Sequence, residues 1–431
     1  MSSIPILGLS EGQIAPLCIA IGLEVAYLRC YQTHVRVAGD RLLDQLRPRP
    51  SFQLTPKGPE APDRGYRRRR SDTMASMSKV RVGFIGAGHI AELHARAYVD
   101  NPTGELVAIA DNVPGYAEQR AREWGAQRAY SDYCELLADP DIDAVEILLP
   151  HHLHRDAAIA ALNAGKHVSL QKPLALDLAD ADQVLEAVSR TTQVFRVFEN
   201  SLAYEPYRFA TSLIEAGEIG EPRSIRFSVY RGTPLGGWQI PESAREWRRD
   251  PALSGGSFFF DHGAHLAAAI VHFMGHVETV HALTSRGAGA EIPNTGGVAA
   301  ITFRHVDGQS IGSWTGLGSP DLPIPTDYYA AEEVAEIAGE RGIIWINQTS
   351  AKLLGAPPVS LYRDGKVRHF TEMETDWGDS FRTGGMEFTN AIANGGPIDI
   401  TAENARHVLA FLLAAKMSAL EHREVAISEL G

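Results

Sequence analysis

Cysteine is nearly absent from this sequence: Cys18, Cys30 and Cys134 are the only three in 431 residues. Scattered thiols of this kind build neither a disulfide framework nor a zinc-ligand spacing, so a reducing, cytoplasmic setting is expected. Basic excess is lacking too. The 40 lysines and arginines face 53 aspartates and glutamates, a net charge of -13, which leaves no footprint for nucleic acid. No clean apolar run of about 20 residues occurs. The stretch from Gln13 to Leu28 is interrupted by Pro16, Gly22 and Glu24 and has no basic region before it. Neither a membrane anchor nor a signal peptide is therefore expected. What is present is ordinary globular composition, 44% hydrophobic and 22% charged, at a length that favours two domains.

Residues 1–76 differ from the rest. Pro48, Pro50, Pro56, Pro59 and Pro62 precede the run Arg67–Arg70, and such a stretch cannot bury enough apolar surface to offset its ordering entropy. It reads as a disordered or spurious extension, with Met74 or Met77 as an alternative start. Ser71, Asp72, Thr73 and Met74 follow the arginines in place of an apolar segment, so no twin-arginine export signal is expected.

From Lys79 onward, short apolar strands alternate with helical spacing. Strands are expected at 80–85, 105–110, 144–149, 167–170 and 194–198, and helices at 90–98, 116–124, 157–164 and 178–188. That alternation predicts βαβ units on a parallel sheet over residues 77–198. Beyond Glu199 the pattern changes to strands at 225–230, 297–303, 310–316, 333–338 and 342–347, with helices at 207–216, 264–274, 385–393 and 402–420. This predicts an α+β domain over 199–431, built on a large, mostly antiparallel sheet. A partner subunit is one way to cover the open face of such a sheet.

Several short motifs carry chemistry. Gly86-Ala87-Gly88-His89-Ile90-Ala91 follows the first strand and opens the first helix. Gly86 permits a tight turn and Gly88 lets the backbone approach a pyrophosphate. Asp111 ends the second strand, where a carboxylate accepts from ribose hydroxyls and favours NAD over NADP. Lys172 lies in Gln171-Lys172-Pro173 at the C-terminal edge of the sheet, where ligands sit. Asp261 and His265 are four apart, which on a continuous helix puts both on one face. An imidazole there can take an alcohol proton, and the carboxylate can orient it. His151, His152 and His154 crowd the end of the strand at 144–149. No metal is expected, and His154 is expected to line the nicotinamide pocket or pack on the following helix. Trp247 and Arg248 are candidate substrate contacts. On these residues alone the plainer readings stay open: a ligand-free glycine turn, a surface lysine, a core histidine beside a capping aspartate, a stacked surface pair.

Taken together, the pieces resemble the glucose–fructose oxidoreductase, inositol dehydrogenase and rhizopine catabolism family (Gfo/Idh/MocA). The resemblance runs from Lys79 to the C-terminus. It is carried by residues 82–88, Ala110-Asp111, Pro150 with His154, residues 164–168, Lys172-Pro173, Glu199-Asn200, residues 217–220, Trp247-Arg248, Gly255-Gly256, Asp261, Gly263 and His265. It implies an NAD(P)-dependent dehydrogenase of a secondary alcohol in a sugar, cyclitol or polyol. Lys172, Asp261 and His265 would be the catalytic group. Gly86, Gly88, His89, Ile90, Asp111, Pro150, His154 and Lys172 would line the cofactor. The second domain would mediate a homodimer or homotetramer. Three positions depart from the family: Gln171 where glutamate is usual, His151 where asparagine is usual, and Ala268 where an acid is common. Two rivals stay open, a glycoside hydrolase that uses NAD transiently and a non-catalytic NAD-dependent sensor.

Overall fold

A computed structural model describes residues 78–256, 258–285, 297–347, 350–351 and 353–431. The expectations for residues 1–76, including Cys18, Cys30 and the arginine run, lie outside the described residues. Residues Met74–Gly431 form one compact unit.

The first sheet has strand order β3-β2-β1-β4-β5-β6. Its strands are β1 Val80–Ile85, β2 Gly104–Ala110, β3 Arg128–Tyr130, β4 Ala144–Ile147, β5 His167–Gln171 and β6 Phe195–Phe198. All five pairings are parallel. The helices α1 Ala91–Ala95, α2 Tyr116–Trp124, α3 His154–Asn163 and α4 Leu178–Ser189 lie between these strands. The apolar runs become strands because both sheet faces are covered; Val82, Phe84, Val145, Ile147, Val168 and Leu170 are all buried. The sequence reading missed β3 and the helix at Tyr133–Ala138. Every residue of β3 is only half-buried, so no apolar run marks it.

The second sheet has order β14-β13-β12-β11-β7-β10-β9-β8-β15. Its strands are β7 Pro222–Leu235, β8 Val277–Thr284, β9 Gly297–His305, β10 Ile311–Pro325, β11 Ala331–Gly339, β12 Gly342–Ile346, β13 Val359–Arg363, β14 Lys366–Phe370 and β15 Val425–Ala426. The β7–β10 pair is parallel and the other pairings are antiparallel. Helices α5 Glu205–Glu215, α6 Gly263–Met274, α7 Asp379–Asn394 and α8 Ala402–Glu421 accompany it. One face buries Ile225, Phe227, Ile301, Phe303, Trp314 and Ile337. By register, Leu283, Val298, Leu317, Tyr230, Tyr362 and Val367 share the other face, and all are exposed.

Helix α7 belongs to the later part of the chain but packs on the first sheet's layer. A Cβ on Gly385 would lie 2.4 Å from Ala97 Cβ, and one on Gly384 would lie 2.6 Å from a Phe198 ring atom. These glycines allow the close approach that brings the two sheets' layers together.

Candidate active site

The turn after β1 is shaped by its glycines. Gly86 has φ +94°, and a Cβ there would meet the Leu148 carbonyl oxygen at 2.6 Å. A Cβ on Gly88 would enter open space, so that side of the backbone is free to receive a pyrophosphate. Asp111 braces the turn: its Oδ2 accepts from Ala87 N–H at 2.9 Å and its Oδ1 from Val113 N–H at 2.9 Å. The cradle and the carboxylate at the end of β2 fit a dinucleotide. The His89 ring is engaged elsewhere, stacked on Trp238 at 3.5 Å. Ile90 packs into the hydrophobic cluster behind the turn.

At the ends of β4 and β5 the chain turns twice. His154 was expected to line the nicotinamide pocket or pack on the helix. Its ring is fully buried, with Nδ1 2.6 Å from Pro173 O and Nε2 2.9 Å from Leu149 O. Burial lowers this imidazole to about 4. A neutral ring has one N–H and donates to only one of these two carbonyls; buried between them, it packs the loop of Pro150 against the loop of Lys172. The Lys172–Pro173 bond is cis.

Lys172 Nζ donates to Asp261 Oδ1 at 2.5 Å and to Asp261 O at 2.7 Å. Arg248 Nε donates to Asp261 Oδ2 at 3.0 Å, its guanidinium lying 4.2 Å over the Trp247 ring. His151 Nε2 stands 3.6 Å from Asp261 Oδ1, while its Nδ1 donates to Ser254 O at 2.8 Å. Burial pushes the His151 imidazole down to about 3. Burial alone would push the Asp261 carboxyl up. Lys172, Arg248 and His151 outweigh it and hold the group well below the usual carboxylate range.

The expected pairing of Asp261 with His265 is not what the fold makes. The helix breaks at His262, between Phe258–Asp261 and α6, so the four-residue spacing does not run along one helix face. Instead His265 Nδ1 donates to Glu199 Oε1 at 2.5 Å. Glu199 is buried at the end of β6 and also accepts from Ser201 N–H at 3.0 Å. Burial raises its carboxyl, but His265 beside it prevails and leaves the group below its ordinary value. With Nδ1 committed, His265 Nε2 is the ring nitrogen left to act. Lys172, Glu199 and Ala264 line one small cavity, so the lysine and the histidine's carboxylate border the same space.

The structure thus brings Lys172, Asp261, Arg248, Trp247 and His265 together. It adds Glu199 and His151, which the sequence reading noted only as a family match and a departure. Among the described residues, no group of three His, Cys, Asp or Glu side chains has metal-holding geometry. His151 and His154 are committed to backbone carbonyls and Asp261.

The geometry agrees with the comparisons. Residues 80–199 match the oxidoreductase family with an NAD-binding Rossmann fold, and residues 207–345 match its GFO/IDH/MocA C-terminal domain. The chain belongs to the Gfo/Idh/MocA oxidoreductase family. A levoglucosan dehydrogenase from Pseudarthrobacter phenanthrenivorans is 31% identical over 54% of this chain and 61% of its own. An uncharacterised oxidoreductase from Rhizobium meliloti is 35% identical over 48% of this chain and 60% of its own. The chain thus spans about three fifths of the length of these first relatives. A myo-inositol 2-dehydrogenase from Thermotoga maritima is 26% identical over 81% of this chain and 99% of its own. Among solved structures, a levoglucosan dehydrogenase with NADH superposes with TM-score 0.68 at 23% identity, covering 81% of this chain and 99% of its own. An Agrobacterium radiobacter oxidoreductase solved with NAD+, L-tartaric acid and magnesium gives TM-score 0.69 at 21% identity, covering 82% and 100%. These structural likenesses establish the fold.

Proposed function

We propose that this protein is an NAD-dependent dehydrogenase that oxidises a secondary alcohol of a sugar, cyclitol or related polyol. The observation that carries the reading is the pairing of His265 with Glu199 beside the Lys172–Asp261 pair, at the sheet edge next to the glycine cradle. Bound in that cradle, NAD supplies the hydride acceptor. His265 Nε2 takes the hydroxyl proton, and Glu199 at Nδ1 stabilises the imidazolium that results. Lys172, positioned by Asp261, donates to the same oxygen and stabilises developing alkoxide charge. Trp247 and Arg248 contact the substrate from the second sheet's side. The levoglucosan and inositol dehydrogenases among the relatives support this substrate class.

The reading extends to organisation. The Rossmann domain covers 77–198 and the substrate domain 199–431. Copies associate as a homodimer or homotetramer through the exposed apolar sheet face, and the sparse cysteines favour the cytoplasm. Among the described residues, no helix is long and apolar enough to cross a membrane. The test is a polyol and sugar screen that follows reduced nicotinamide, run with NAD and NADP in parallel. Turnover with NAD and weaker binding of NADP are expected, because Asp111 would repel a 2′-phosphate. Tighter NADP binding, or no turnover on any alcohol, would refute the reading.

A further inference from the structure

Beneath the cleft runs a buried chain of polar side chains that the reaction above does not use. Gln171, the last residue of β5, accepts from Lys172 N–H through Oε1 at 2.8 Å. Its Nε2 lies 3.0 Å from His94 Nε2. His94 Nδ1 in turn meets Glu146 Oε2, and the Tyr98 hydroxyl donates to Glu146 Oε1. His94 is 1% exposed and Glu146 is 0% exposed. The rings of Phe84, Phe198 and Phe381 enclose His94.

Every proton in this chain is determined by its neighbours. A backbone N–H only donates, so the Gln171 atom facing Lys172 N–H must be the oxygen. The amide nitrogen then faces His94, and it too only donates. His94 Nε2 must therefore accept through its lone pair. The one proton of the neutral ring sits on Nδ1 and goes to Glu146. A doubly protonated His94 would set two donors against each other. Flipping the amide would only move that conflict to Lys172 N–H. In either case a buried donor is left unsatisfied. Charged and titratable groups face the ring from the elements packed against it. Glu146 comes from β4 and Tyr98 from the turn after α1. Lys172 follows β5, and Arg196 on β6 pairs with Asp399 at 3.2 Å. Helix α7 presents Phe381 and the bare backbone of Gly385, whose Cβ position is 3.7 Å from Glu146 Oε1.

We propose that Gln171 is a positioning residue for Lys172, an uncharged link that holds the lysine's backbone and locks His94 in its neutral Nδ1–H form. The amide thereby keeps proton uptake in the cleft separate from titration beneath it. A carboxylate at 171 could make the same contact only if His94 carried a second proton on Nε2. Gln171→Glu should therefore take up one proton from solvent and place it on His94. The link to activity rests on the dehydrogenase reading, through Lys172; the tautomer of His94 does not.

Two measurements separate these. The first is 15N NMR of the histidine-labelled full chain, with the His94 signals identified by their loss in His94→Asn. The wild-type ring should carry a single proton, on Nδ1. Gln171→Glu should show two protons at the acid end and lose one as pH rises. The second is the pH profile of kcat/KM on the alcohol found by the screen. Gln171→Glu should gain a new limb, falling about tenfold per pH unit above the loss of that proton, with KM for NAD unchanged. Gln171→Met should lower kcat about tenfold at every pH without a new limb, by loosening Lys172. A wild-type His94 protonated on Nε2, or on both nitrogens near neutral pH, overturns the proposal. So does a Gln171→Glu variant that takes up no proton, or one that loses stability with an unchanged profile. If no alcohol is turned over, the NMR result still decides the tautomer, and the dehydrogenase reading fails separately.

Discussion

Single side chains in the cleft do distinct jobs, and substitutions should separate them. His265→Ala should lower turnover by roughly 10²–10⁴, the usual worth of a placed acid–base group, while NADH affinity measured by fluorescence stays unchanged. Glu199→Gln should fall between wild type and His265→Ala, since it keeps a hydrogen-bond acceptor at Nδ1 but loses the charge that stabilises imidazolium. Lys172→Met should lose a factor comparable to His265→Ala, and the double variant less than the product, because both residues act on one oxygen. Near-full turnover in His265→Ala would exclude the imidazole as base. His154 gives a prediction about pH. Its folded value is lowered to about 4 from about 6.5 in the unfolded chain. The unfolded state therefore binds the proton first as pH falls, and stability is lost between about 6.5 and 4 and fully present above. The limit is about 3 kcal/mol. Denaturant unfolding across that window should show a shallower pH dependence in His154→Gln than in wild type, by up to one proton. Equal slopes would mean that the ring is not the titrating group.

The strand–turn–helix unit of β1 and α1 contains two glycines with opposite roles. Gly86 is needed by the protein's own backbone: its φ is +94° and a Cβ would collide with Leu148 O. Gly86→Ala should therefore lower Tm markedly even without cofactor. Gly88 adopts no positive φ, and a Cβ there would touch nothing. Gly88→Ala should leave the apo Tm nearly unchanged and weaken NADH binding, because the added methyl occupies the pyrophosphate's approach. Thermal melts with and without NADH distinguish the two. A Gly88→Ala variant that binds NADH as tightly as wild type would place the cofactor elsewhere. The same unit was readable in the sequence because its signals are local. A glycine turn, an apolar strand and a carboxylate ending the next strand lie within about thirty residues. Strand β3 was not readable, since three half-buried residues give no periodicity. Strands β8, β13 and β14, at or next to the sheet's edges, were missed because their exposed faces mix apolar and polar residues.

At the scale of the whole molecule, the second sheet presents a row of exposed apolar side chains. Leu283 is 57% exposed, Val298 51% and Tyr230 43%, and register puts them on the face opposite the core. Exposed apolar side chains gathered on one sheet face are a usual mark of an interface. Light scattering should report a dimer or tetramer in wild type, and Leu317→Glu, a central position on that face, should shift it towards monomer. A monomeric wild type would remove the oligomer from the proposal.

Sequence alone determined the parallel α/β unit, the glycine cradle, Asp111 and the short list that holds Lys172, Asp261 and His265. Each of these depends on residues near one another along the chain, where periodicity and turn chemistry act. Tertiary structure alone decided which groups pair. His265 finds Glu199 across 66 residues, and Lys172 finds Asp261 across 89, contacts made only when α6 docks against the ends of β5 and β6. The spacing of Asp261 and His265 suggested a partnership, but the break at His262 turns their side chains to different neighbours. His154 looked like a pocket residue because it stands at the ligand edge of the sheet. Full burial between two carbonyls made it a strut, since a neutral imidazole in a dry interior is held by whatever acceptor the fold brings to it.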